Sequence, residues 1–96
     1  MNYQKRLYIR TLLNERIERQ LQPPVLLTHR IKQTIYASLI EHLIITGFVT
    51  TEAEINETNT IAQSRLDLHQ QLQLVYGLNY PPHRPPPADF QIRRFD

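Results

Sequence analysis

The chain contains no cysteine and only two glycines among its 96 residues. Without cysteine there can be no disulfide, no thiolate metal ligand and no cysteine nucleophile. Because Gly47 and Gly77 stand alone, there is also no glycine-rich loop of the kind that cradles phosphate groups. These absences exclude disulfide-stabilised folds and phosphate-loop enzymes.

Long hydrophobic runs and a strong charge of one sign are also missing. The apolar runs are far shorter than the ~20 residues that a membrane-spanning helix needs, and the first residues lack the apolar core of a secretory signal. The formal net charge is only +2, which is too small to indicate nucleic-acid binding by itself. We therefore expect a soluble cytoplasmic protein that does not associate with membranes.

What the sequence does contain is helical periodicity, interrupted at a few places. Apolar residues recur at spacings of three and four, which is typical of amphipathic helices, and the breaks fall at Pro23-Pro24 and at Gly47. The pattern predicts an all-α fold with helices near residues 3–22, 28–46 and 52–76. We expect a small three-helix bundle over residues 1–78, with an antiparallel helical hairpin around Gly47, followed by an extended proline-rich arm over residues 79–96.

The first predicted helix has apolar residues on two sides. Its broad apolar face, which we expect to meet the core, consists of Tyr3, Leu7, Leu13, Ile17 and Leu21, and Ile9 extends it. Tyr8 and Leu12 lie on the far side, among basic residues. A helix with this pattern usually contacts two neighbours, so Tyr8 and Leu12 are candidate contact residues.

The segment that follows Gly47 predicts the corner of a hairpin. Glycine tolerates the left-handed conformation that ends many helices, and Thr51 to Glu54 matches the capping-box pattern that begins the next one. Asparagine and threonine are poor helix-interior residues, so the sequence leaves open whether the third helix is continuous through Thr58–Thr60.

A helix-turn-helix that reads DNA has the same outline as this corner. The second helix would then present Glu52, Glu54 and Glu57 to the phosphate backbone, which opposes binding. Capping explains the same three carboxylates without a ligand, because the positive end of a helix favours acidic residues. We therefore interpret the segment as a helical corner.

Opposite charges concentrate in different segments. Residues 1–24 hold five basic and two acidic side chains, and residues 50–76 hold four acidic side chains and one basic. The two segments are expected to attract one another, either within one bundle or between copies.

The sequence gives little support for catalysis or metal binding. None of the four histidines, which are His29, His42, His69 and His83, has another histidine at the i+3 or i+4 position. Serine occurs only at Ser38 and Ser64, outside any nucleophile motif. We expect no enzyme activity, no cofactor and no metal site. An enzyme would need a pocket that joins His42 or His69 to carboxylates.

The last residues differ from the rest in composition. Five of the seven prolines lie between Pro81 and Pro87, which predicts an extended, polyproline-like conformation. Pro82 to Pro85 also matches the P-x-x-P pattern that SH3-type grooves bind. We favour an arm that packs Phe90, Ile92 and Phe95 onto its own bundle or onto a neighbouring copy, because these apolar residues need cover.

The surplus of apolar surface in so short a chain indicates association with other proteins. We expect a non-enzymatic protein–protein interaction module, either a homodimer or a small subunit or adaptor of a larger assembly. The predicted partner-binding residues are Tyr8, Leu12, Leu66, Leu74, Phe90, Ile92 and Phe95. The alternative is a small nucleic-acid-binding regulator that uses the basic face of the first helix, with Lys5, Arg10, Arg16 and Arg19.

Overall fold

The computed structural model describes residues 1–80, which form three α-helices and no strand. Helix α1 spans Tyr3–Gln20, α2 spans His29–Ile45 and α3 spans Glu52–Tyr76. The predicted all-α bundle is confirmed, with helix bounds within two residues of the expected ones. The proline-rich arm, with Phe90, Ile92 and Phe95, lies outside the described residues.

Each helix begins at a polar residue whose side chain accepts a hydrogen bond from a backbone amide of the first turn. Asn2 accepts from the amide of Lys5 at 2.8 Å, and Thr28 accepts from the amide of Ile31 at 3.3 Å. Thr51 accepts from the amide of Glu54 at 3.1 Å, as the capping pattern predicted. These bonds satisfy amides that have no partner within the helix, and so they fix where each helix starts.

The corner between α2 and α3 is the predicted glycine turn. Gly47 has φ +73°, in the left-handed region. Its amide donates to the carbonyl of Ile44 at 3.0 Å, and the amide of Phe48 donates to the carbonyl of Leu43 at 3.0 Å. This pair of bonds is a Schellman motif, which ends α2 and turns the chain back along it.

Helix α3 is continuous through the segment that the sequence left open. The hydroxyl of Thr58 donates to the carbonyl of Glu54 at 2.8 Å, and that of Thr60 donates to the carbonyl of Asn56 at 3.1 Å. Both threonines therefore satisfy their hydroxyls within the helix without breaking it.

The three helices run up, down and up, and each contacts both others. Helices α1 and α3 are parallel, because Lys5 near the start of α1 bonds to Glu54 near the start of α3, and Asn14 bonds to Arg65 further along. The core of the bundle, to which all three helices and both loops contribute, consists of Ile9, Leu13, Ile17, Leu27, Ile35, Leu39, Leu43, Val49, Ala62 and Leu66.

Two expectations about α1 were wrong. Tyr3 is 67% exposed and Leu7 is 46% exposed, although both were placed on the core face. The buried stripe of α1 begins at Ile9, which lies six residues after Tyr3 and two after Leu7. At about 100° per residue, these offsets place Tyr3 about 120° and Leu7 about 160° away from the Ile9 position.

The prediction that Leu66 lies on an outer surface was also wrong. Leu66 is completely buried, because α3 is covered by α1 on one side and by α2 on the other. Leu12 is partly buried and packs against the core, while Leu74 is exposed as expected.

Candidate functional site

A buried glutamine, Gln73, connects the last turns of α3 to the loop between α1 and α2. The side-chain oxygen of Gln73 accepts a hydrogen bond from the amide of Leu27 at 2.9 Å, and its nitrogen donates to the carbonyl of Val25 at 2.9 Å. Gln73 therefore ties the loop between α1 and α2 to the last turns of α3. Sequence reasoning missed this residue, although its position seven residues after Leu66 places it on the same buried side of α3.

Several apolar residues near these two hydrogen bonds of Gln73 in sequence are exposed. We call this group the Leu74 end, and it consists of Val25, Leu74, Val75, Tyr76 and Leu78. Leu74 is 68% exposed and the other four are each at least one-third exposed. Exposed apolar residues are normal when scattered singly, but four of these five lie within residues 74–78, and the fifth, Val25, accepts a hydrogen bond from Gln73 through its carbonyl.

The Leu74 end also lacks formal charge. Residues 20–28 and 68–80, which Gln73 joins, contain no aspartate, glutamate, lysine or arginine. Depletion of charged residues is the compositional mark of the centre of a protein–protein interface. Two apolar surfaces of this kind can pack together without the cost of desolvating an unpaired charge.

A second group of exposed apolar residues lies at the opposite end of the bundle. We call it the Tyr8 end, and it consists of Tyr3, Leu7, Tyr8, Ile44 and Ile45. The ring of Tyr8 packs against Phe48 with centroids 4.7 Å apart, so Tyr8 is partly engaged within its own chain. Charged residues lie beside this end, since the Lys5 ammonium sits 5.1 Å from the centroid of the Phe48 ring.

The predicted attraction between basic and acidic segments occurs within one bundle. Lys5 pairs with Glu54 at 2.8 Å, and Arg6 pairs with Glu57 at 3.0 Å. The hydrogen bond from Lys5, with a second from the Thr50 amide, lowers the pKa of Glu54 to about 2. Glu54 thus joins the start of α3 to α1.

A further charged contact links α2 to α3 and was not predicted. The ammonium of Lys32 lies 2.8 Å from a carboxylate oxygen of Asp67 and 2.8 Å from the side-chain oxygen of Gln70. Lys32 is almost entirely buried, and burial of a lysine requires such partners.

The four basic residues of the nucleic-acid alternative do not form one free surface. Lys5 is held in the ion pair described above. The guanidinium of Arg16 donates to Ser38 on α2 at 3.2 Å, and that of Arg19 donates to a carbonyl of its own helix at 3.4 Å. Arg10 instead lines a groove between α1 and α3. The structure therefore divides these cations between two sides of α1.

Within residues 1–80 no group of three histidine, aspartate or glutamate side chains is arranged to hold a metal ion. In the same part of the chain, none of the helices combines the length and hydropathy that crossing a membrane requires. Comparison with known proteins finds no matching family model, no matching curated protein and no matching solved structure.

Proposed function

We propose that the chain is a non-enzymatic protein–protein interaction module that binds a second copy of itself through the Leu74 end. The observation that carries the proposal is the set of exposed apolar side chains on two segments that contain no charged residue and that Gln73 joins. A pair of copies related by a twofold axis would bring the same patch of each into contact. Burial of Leu74 and Val75 would then supply the main driving force.

Charge distribution favours a second copy as the partner. The strongest opposite charges are paired within each bundle, through Lys5 with Glu54 and Arg6 with Glu57. The Leu74 end itself has no formal charge, so two copies meet there without repulsion between like charges. The second candidate is a larger assembly in which a different protein binds the Leu74 end.

The proline-rich arm has a place in this proposal as a supplementary contact. It follows Tyr80 directly in the sequence, and its apolar residues Phe90, Ile92 and Phe95 would extend the apolar surface. Tyr8 and Leu12 carry less of the proposal, because Tyr8 packs on Phe48 and Leu12 is partly buried. The cytoplasmic location stays a prediction.

The nucleic-acid alternative receives less support. Binding to phosphates needs several free cations on one surface, and these cations are divided between two sides of α1. A gel shift at low salt tests it, with saturable binding as the result that would favour it.

Sedimentation velocity of the full chain tests the proposal directly. The wild-type protein is expected to dimerise at concentrations up to about 100 µM, and Leu74→Ser is expected to raise the dimer Kd at least about tenfold. The matched control is Ile45→Ser at the Tyr8 end, because Ile45 is 74% exposed and Leu74 is 68% exposed. It should leave the Kd unchanged.

Two results would contradict the proposal. A wild-type chain that stays monomeric over the whole concentration range would remove the second copy as the partner. An Ile45→Ser variant that dissociates as readily as Leu74→Ser would show that the Leu74 end has no special role. A Phe90→Ser, Ile92→Ser, Phe95→Ser triple variant then measures the contribution of the arm, with a raised Kd expected.

A further inference from the structure

A groove between α1 and α3 contains two arginines that face the same space. Arg10 projects from α1 and Arg65 from α3, and the groove has a volume of about 270 Å³. Its remaining lining consists of two hydroxyl-bearing and two apolar side chains of α3, which are Thr60, Ser64, Ile61 and Leu68. None of the residues that line this groove is one of the five that make up the Leu74 end.

The charges in this groove are not compensated within residues 1–80. Lys5, Arg6 and Lys32 each form an ion pair with a carboxylate, whereas neither Arg10 nor Arg65 does so in that part of the chain. Burial lowers the pKa of the Arg65 guanidinium, and the positive charge of Arg10 lowers it further. Two like charges held together in this way favour the approach of an anion.

The hydrogen-bonding groups also suit an anion. The Nε of Arg65 donates to the side-chain oxygen of Asn14 at 3.0 Å, which orients the guanidinium. Its terminal nitrogens have no acceptor among the residues described, so both remain able to donate. A guanidinium presents these donors in a planar fork that matches the oxygens of a carboxylate or phosphate. The hydroxyl of Ser64 adds a further donor beside it.

We propose that this groove binds the oxyanion of a small organic molecule, such as a phosphate monoester or a carboxylate. Arg10 and Arg65 would hold the oxyanion, and Ile61 and Leu68 would contact an apolar portion of the ligand. The volume of the groove is near the lower end for ligand pockets, which suits an anionic group with a single ring.

Titration of the ¹⁵N-labelled full chain with phenyl phosphate, followed by NMR at constant ionic strength, tests this assignment. Saturable shifts are expected at the amides of Ser64 and Arg65, with inorganic phosphate binding more weakly and phenol causing no shift there. Arg10→Gln and Arg65→Gln should each weaken binding about tenfold, the effect of losing one charge-assisted contact. Arg30→Gln is the control, because Arg30 is exposed on α2 away from the groove.

Arg65 is partly buried, so a loss of binding by Arg65→Gln counts only when that variant is folded. Arg10 is exposed, and the binding of phenyl phosphate by Arg10→Gln therefore decides the outcome. Circular dichroism of each variant shows whether the bundle is intact. The assignment is overturned if phenyl phosphate causes no saturable shift in the wild-type chain. It is equally overturned if Arg30→Gln weakens binding as much as Arg10→Gln, since the attraction would then be general.

Discussion

The amide of Gln73 joins parts of the chain that lie more than forty residues apart in sequence. Its two hydrogen bonds are made to backbone groups of the loop between α1 and α2, and the side chain is only 4% exposed. When the Gln73 side chain is removed, the Leu27 amide and the Val25 carbonyl have no other side chain of residues 1–80 to bond to. At the scale of the residue, Gln73 is therefore the side chain that holds the loop between α1 and α2 against the last turns of α3.

Gln73→Ala is expected to lower the free energy of unfolding by about 1–3 kcal/mol, because the Leu27 amide and the Val25 carbonyl lose their partners. Urea denaturation followed by circular dichroism measures the change. Gln71→Ala, at an exposed position of the same helix, serves as the control and should stay within about 0.5 kcal/mol of the wild type. Equal stability of the two variants would show that the two hydrogen bonds of Gln73 contribute nothing to the free energy of unfolding.

Glu54 makes a pH-dependent contribution to stability. Its pKa in the folded chain is about 2, below the ordinary value of 4.5, chiefly because Lys5 donates a hydrogen bond to it. A lowered folded-state pKa means that the contribution is fully present above about pH 4.5 and is lost as the pH falls toward 2.

Glu54→Gln should accordingly lower the melting temperature at pH 7, and the difference from the wild type should shrink between pH 4.5 and pH 2. Thermal unfolding across this range measures it, with Glu52→Gln as an exposed control from the same helical turn. A difference that stays constant with pH would contradict the assignment of the shift to the ion pair with Lys5.

At the scale of the element, the sequence predicted the helix ends better than the helix faces. The helix ends at Gly47 and Thr51 depend on the backbone conformation and hydrogen bonds of a few neighbouring residues, so a short stretch of sequence is enough to predict them. The faces depend on where the neighbouring helices lie. Tyr3 and Leu7 fitted a helical stripe by spacing, yet the stripe that meets the core begins at Ile9.

Gly47→Ala should destabilise the corner between α2 and α3 through the backbone alone. An added Cβ would have no heavy atom within 4 Å, so no clash contributes, but alanine disfavours φ +73°. We expect a loss of about 1–2 kcal/mol in the free energy of unfolding. Gly47→Asn should lose less, because asparagine tolerates this conformation, and urea denaturation compares the two. An alanine variant as stable as the asparagine variant would contradict the role of the left-handed turn.

At the scale of the whole molecule, the candidate site was only partly predictable. The exposure of Leu74 followed from helical spacing, but Val25 lies in a loop that only the folded chain brings to Gln73, the residue before Leu74. Leu66 was misplaced because a side chain on a second face of α3 meets a second helix and not solvent. The groove of Arg10 and Arg65 was missed for the same reason, since its two halves come from different helices.

The absence of cysteine permits one decisive measurement on the association of two copies. A single Gln71→Cys variant places a thiol three residues before Leu74, on the same side of α3, without removing an apolar side chain. Asn59→Cys is the matched control, an exposed polar position twelve residues earlier on α3 and therefore about 18 Å away.

Under mild oxidation at equal concentration, we expect rapid formation of a covalent dimer by Gln71→Cys and slow formation by Asn59→Cys. Comparable rates for the two variants would contradict the claim that the Leu74 end binds a second copy.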